Sequence, residues 1–292
     1  IVLPGYLITV LDPARAEGVI SPEGNRRVAI LFSLVTFVLL QLPVWFVRER
    51  YDSDVHTSEA TAWLRGLTDA ARNYPFVIYC LAFFLFTVGF LAVQNALPYF
   101  AELGLDGDES TVTVLMIPFV LSCIVFYAVV PALTKRLHTK WMTFLAFLII
   151  TAGLPFMYVI YHLDVSTEVK TGLGGVLFAF CGIAQSIIYV MMVPMLGEII
   201  DYDETLSGQR REALYNGLHG LVLKIAIFFS VLLSTQSMSR LGNSVADPTG
   251  VIMVGPFAAC FTFLGLIVIL FYPIMHVTED RREGDHEETQ DA

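Results

Sequence analysis

Lys224 is the residue whose chemistry fits its surroundings least, standing between Leu221, Val222 and Leu223 on one side and Ile225, Ala226 and Ile227 on the other. An ammonium ion inside a bilayer costs on the order of 3 kcal/mol or more unless it faces water or a counter-ion. Lys224 lies too deep in its apolar run for its stem to carry the charge to the surface. Its expected chemistry is therefore electrostatic: a fixed positive charge lining an aqueous cavity, or failing that a buried ion pair. At 100° per residue Asn216, Gly220 and Lys224 fall on one helical face, with His219 at its edge. His219 reads either as a core residue satisfied by a neighbour or as a polar contact to a ligand. Two further polar sets sit in apolar runs, the adjacent amides Gln94 and Asn95, and Gln185 with Tyr189 at i, i+4. Amides and aromatic rings suit sugar hydroxyls and ring faces, and they equally join one helix to another.

A second constellation, from Gly197 to Glu212, carries Glu198, Asp201, Asp203, Glu204, Arg210, Arg211 and Glu212 between two long apolar runs. Charges of both signs at such density belong at a water boundary, where they are hydrated and can pair. The segment reads as a charged latch, a gate between two membrane spans. Glu198 and Asp201 have i, i+3 spacing suited to a cation, but the neighbouring Arg210 and Arg211 favour salt bridges.

Catalytic signatures are missing. The chain has no His-Glu-x-x-His, no Gly-x-Ser-x-Gly and no phosphate-cradling glycine loop, and Gly172, Gly174 and Gly175 lack the Lys-Ser or Lys-Thr that would follow. Cys80, Cys123, Cys181 and Cys260 all fall in apolar runs without metal or disulfide spacing. No enzyme activity, cofactor, resident metal or nucleic-acid partner is expected.

The elements that must position these groups are membrane helices. Hydrophobic residues make up 56% of the 292 positions, mean hydropathy is +0.69, and the apolar residues come in blocks of about twenty. These predict an all-α membrane protein with spans near 28–47, 75–100, 111–133, 141–161, 172–197, 213–236 and 250–275, and a partial span at 1–11. Blocks of this length exceed a barrel strand, and backbone polar groups in lipid must be satisfied within the segment. The net charge of −10 mostly describes the tail, where Glu279, Asp280, Glu283, Asp285, Glu287, Glu288 and Asp291 crowd together. One alternating set of loops holds eleven Lys and Arg against five on the other side, which predicts a cytoplasmic latch and carboxy-terminus. Pro98, Pro118, Pro131, Pro155, Pro194 and Pro256 mark possible bends.

The polar stretch 49–74 reads as a linker between two bundles. The expected organisation is residues 1–48 as the end of an amino-terminal bundle, 49–74 as a cytoplasmic linker, 75–276 as a six-helix bundle and 277–292 as an acidic tail. The opening Ile1 and the short first run suggest a fragment of a six-plus-six arrangement of the kind many secondary transporters use.

Asp201-Tyr-Asp-Glu204, then Gly208-Gln-Arg-Arg-Glu212, then Lys224 twelve residues on, resembles the glycoside-pentoside-hexuronide:cation symporter family, the melibiose-permease-like branch of the major facilitator superfamily. The resemblance extends over the span layout from about 28 to 278. It implies a major facilitator-like helical bundle and symport of a sugar or glycoside with Na⁺ or H⁺ by alternating access. It also implies cation ligands on amino-terminal helices absent from this chain. It places Lys224 near the cation and sugar sites, Tyr189 near a sugar-stacking aromatic, and His219 near a polar sugar contact. Asp201, Glu204, Arg210 and Arg211 fall in the loop that closes the cytoplasmic side. Related animal lysolipid transporters share the fold, so a lysophospholipid carrier stays open. So does a transporter-like receptor that moves nothing.

Overall fold

The computed structural model describes residues 22–46, 60–107 and 109–274. The partial span at 1–11 and the acidic tail 277–292 lie outside them. The chain divides into two compact units, Ile1–Glu59 and Ala60–Ala292. In the first, α1 spans Pro22–Phe46 and carries the apolar run Ala29–Leu42.

The second unit contains α2 (Ala60–Arg72), α3 (Tyr74–Tyr99), α4 (Glu109–Leu133), α5 (Thr139–Gly153), α6 (Phe156–His162), α7 (Thr167–Ser207), α8 (Glu212–Leu241), α9 (Thr249–Ile252) and α10 (Val254–Leu270). Together these give six helical segments long and apolar enough to cross a membrane. No strand occurs among the described residues beyond one isolated bridge, Ser244 with Asp247.

Local signals set the helix ends. Asn73 caps α3 by accepting a hydrogen bond from the Phe76 N–H, with Pro75 in the first turn where no donor is needed. The predicted span 141–161 divides into α5 and α6 at Leu154 and Pro155. A proline there removes a backbone donor and its ring crowds the preceding turn. Pro118, Pro131 and Pro194, by contrast, sit inside uninterrupted α-helices, while Pro98 lies two residues before α3 widens into the π-helical turn Phe100–Gly104.

Two expectations change. The linker 49–74 was expected to be a connection, yet its second half is a helix, α2, which packs on α3 and α8 and belongs to the bundle's compact unit. The predicted span 172–197 is part of a 41-residue helix, so residues 197–207 of the latch are helical rather than a loop. Forty-one residues rise about 60 Å, twice the hydrocarbon thickness. The polar end of α7 therefore projects beyond the membrane, and it stops where Gly208 takes a left-handed conformation (φ +67°) that returns its N–H to the Glu204 carbonyl.

Packing follows the pairs α4 with α7, α3 with α10, α3 with α8, α5 with α7 and α5 with α10. Small residues let these helices approach closely, since lipid supplies no hydrophobic drive between them. A Cβ at Gly182 of α7 would run into the Ser122 hydroxyl and come within 2.5 Å of the Phe119 carbonyl of α4. Gly172, on the same helix, faces open space. Gly182→Leu should therefore cost about 2 kcal/mol by overpacking. Thermal unfolding of the purified full-length protein checks this: the midpoint falls for Gly182→Leu and stays level for Gly172→Leu.

Candidate transport site and latch

The latch is assembled around two adjacent arginines. Arg210 Nη1 lies 3.1 Å from Glu204 Oε2 and 3.3 Å from Asp201 Oδ1, while its Nε pairs with Glu212. All four groups are at least a quarter exposed, so water screens each pair. Arg211 is different. Its Nη1 donates to Asp69 Oδ2 of α2 at 2.9 Å, and its Nε lies 3.4 Å from Asp203 Oδ2, a carboxylate almost wholly buried. Burial works against the Arg211 charge, but the bond to Asp69 and the charges of Asp203 and Asp69 outweigh it and hold the guanidinium above its ordinary range.

Asp203 also lies against the Tyr215 hydroxyl, which accepts a hydrogen bond from Asn73 Nδ2 at 3.0 Å. One network thus joins α2 (Asp69), the head of α3 (Asn73), the tail of α7 (Asp203) and the head of α8 (Tyr215). Glu198 stands apart from it. Among the described residues Glu198 has no ion pair, and its Oε1 accepts from Thr139 of α5 at 3.1 Å. The expected salt bridging of the Glu198 and Asp201 pair therefore holds for Asp201 alone.

The positions inside the spans separate by helix face. Lys224 is exposed on α8 together with Asn216, whose amide donates to the Glu212 carbonyl at 2.9 Å. Among the described residues no carboxylate pairs with Lys224. His219 is buried. Its Nδ1 lies 3.1 Å from the Tyr79 hydroxyl and its ring centroid 4.4 Å from that of Phe83, so it fills the seam between α3 and α8 rather than the Lys224 face.

Gln94 and Asn95 are both exposed on α3, but neighbours on a helix point 100° apart, so a single solute cannot meet both along one face. Gln185 is buried with no partner for its Oε1 among the described residues, whereas Tyr189, one turn on, is 48% exposed and lies near Tyr127 of α4. The cavity at the bundle centre, lined by Tyr79, Phe83, Met191, Met192 and Met195, measures about 20 Å³ and is apolar. It has room for little more than one water, so a solute contacting Lys224 or Tyr189 does so at the bundle's surface.

The seam makes a prediction. Tyr79→Phe and His219→Phe should each cost about 1 kcal/mol through the lost hydrogen bond. Because they share that bond, the double substitution should cost less than the sum, as a double-mutant cycle of thermal unfolding would read.

Residues 3–276 match the family described as MFS/sugar transport protein. The chain belongs to that family. It is also 27% identical over 108 residues to a Synechocystis sp. protein described as an uncharacterized symporter, a match taking in 32% of this chain and 20% of the relative. The chain thus matches about a fifth of the length of that curated relative. Membership of the MFS/sugar transport family makes the chain an integral, multi-pass membrane protein of a transporter family rather than an enzyme.

Sequence reading named the latch arginines and their acids but missed Asp69, Asn73, Tyr215 and Tyr79. Asn73 had a legible signal, an amide two positions before the proline of a helix start. Asp69 and Tyr79 had none, since their partners lie about 140 residues away.

Proposed function

We propose that the protein works in the cation-coupled symport of a sugar or glycoside by alternating access, with Na⁺ or H⁺ as the driving ion. The observation that carries this reading is Lys224, an exposed ammonium within a membrane-spanning segment and without a described counter-ion. A charge in that position has little structural use, and it suits a cavity whose occupancy by a cation and a polar solute it senses. The family match and the relative's description as a symporter point the same way. Tyr189 offers an exposed ring face for a sugar, and Asn216 and Gln94 offer amides.

In this reading the latch lies on the cytoplasmic side and its ion pairs hold that side closed while the opposite side is open. Rocking of two bundles about a midplane site separates them. The full-length protein in sealed vesicles provides the test. Radiolabelled sugars should accumulate against a gradient when an inward Na⁺ or proton gradient is imposed, and not when it is collapsed. Uptake of lysophospholipid in place of sugar would move the cargo to an amphiphile. Ligand binding with uptake at background would make the protein a receptor and sink the transport reading.

A further inference from the structure

Four of the latch acids, Asp201, Asp203, Glu204 and Glu212, each face an arginine, and Glu198 does not. Glu198 stands where α7 leaves the bilayer, one turn before Asp201, and its Oε2 is closed off from solvent. Its Oε1 accepts from the Thr139 hydroxyl of α5 at 3.1 Å. The hydroxyl of Tyr272, a wholly buried residue just past the end of α10, lies beside the same carboxyl. Neither that hydroxyl nor Glu198 Oε2 completes a hydrogen bond with any described residue. Two buried oxygens thus stand close together with nothing shared between them.

The charged groups around this carboxyl do not neutralise it. Arg210 is held by Asp201, Glu204 and Glu212, and Arg211 by Asp69 and Asp203. Lys140, next to Thr139 on α5, turns its ammonium to the Leu270 carbonyl at 2.7 Å. His138 caps α5 by accepting the Lys140 N–H. Lys135 and Arg136, in the turn before it, are exposed, and among the described residues neither pairs with Glu198. From α3 comes Tyr79, within electrostatic reach of Tyr272, its hydroxyl already engaged with His219 of α8. The charge that does act on Glu198 is that of Asp201, and it is negative. A buried carboxylate among neutral donors and beside another acid is disfavoured against its neutral form.

We propose that Glu198 is a proton-binding site. The proton sits on Oε2 and is donated to the Tyr272 hydroxyl oxygen while Oε1 keeps its bond from Thr139, so one neutral carboxyl ties together α5, α7 and the end of α10. Only an O–H bond forms or breaks, and the proton exchanges with water at the membrane boundary. Its loss leaves a buried anion next to Asp201, which loosens the foot of the latch helix one turn before the arginine contacts begin. The site stands whether or not the protein moves a solute.

Infrared spectroscopy of the purified full-length protein tests this. At neutral pH the wild type should show a protonated-carboxyl stretch that Glu198→Gln lacks. Tyr272→Phe, which removes the acceptor, should shift that band to higher frequency. A further measurement does not depend on Glu198→Gln folding: with glutamate labelled in heavy carbon, the band that responds to Tyr272→Phe should also move with the label. Thermal unfolding across pH reads the same site independently. Between the ordinary glutamate range and the titration of Glu198, the folded protein holds one proton more than the unfolded chain. In that window wild-type stability should fall relative to Glu198→Gln by about tenfold in the folding equilibrium per pH unit, and above it the two should run parallel. A hydrogen bond without a titrating proton would keep them parallel throughout. Identical infrared spectra, a band indifferent to Tyr272→Phe, or parallel pH profiles over the whole range would each overturn the proposal.

Discussion

Lys224→Ala in the full-length protein should lower coupled uptake at least about tenfold, a loss of some 1.4 kcal/mol of useful interaction, while leaving thermal stability nearly level. The two readouts move apart because of where the charge sits. Lys224 is exposed on α8, and no described carboxylate neutralises it. A charge that faces a cavity and pairs with no described carboxylate contributes little to the fold, so its removal costs the fold little. A structural ion pair behaves in the opposite way: removing one partner strands the other and costs about 3 kcal/mol or more. Lys224→Arg keeps the charge but spreads it over a planar fork, and it should retain part of the uptake with altered cation dependence. Uptake and cation dependence unchanged in Lys224→Ala would falsify the role given to this residue.

Arg211→Ala should be the most damaging substitution in the latch, costing about 2 kcal/mol because it leaves the buried Asp203 carboxylate without its cation. The neighbouring Arg210→Ala should have little effect on stability, since water replaces the arginine at Asp201, Glu204 and Glu212. Thermal unfolding of the purified variants separates the two arginines. If the latch also sets which side is open, Arg211→Ala should speed labelling of a cysteine placed at Ser207, and Asp69→Ala should do the same. The two changes combined should then add little, because both cut the link between α2 and α7. Equal stability losses for Arg210→Ala and Arg211→Ala would mean that burial of Asp203 does not organise the latch.

The membrane helices were legible because twenty-residue apolar blocks admit few alternatives, and the six spans after residue 74 fall where hydropathy puts them. The latch arginines and their acids were legible for the same reason, as charges that lipid excludes. What stayed hidden depends on contacts between distant parts of the chain. Nothing local distinguishes Asp69 from any surface acid until α7 and α8 bring Arg211 to it. His219 was open to two readings because its partner, Tyr79, lies 140 positions earlier. The length of α7 was hidden for another reason: hydropathy marks where lipid ends, and a helix need not stop there. Glu198, Asp201 and Glu204 continue its turns, and the break waits for Gly208.

Because α7 is uninterrupted, even at Pro194, it is a single lever roughly 60 Å long. Its ends lie on opposite sides of the bilayer, with Gln185 and Tyr189 near the middle. A tilt of about 10° around that fulcrum would sweep Asp203, about 24 Å away, through roughly 4 Å. Added to the 3.4 Å between Arg211 Nε and Asp203 Oδ2, such a stroke would break the ion pair, so a small rotation about the middle of the helix would be enough to pull Asp203 off Arg211. On the proposed mechanism, such a lever would turn a small adjustment beside a solute into the loss of an ion pair at the surface, with no break in the helix between the two.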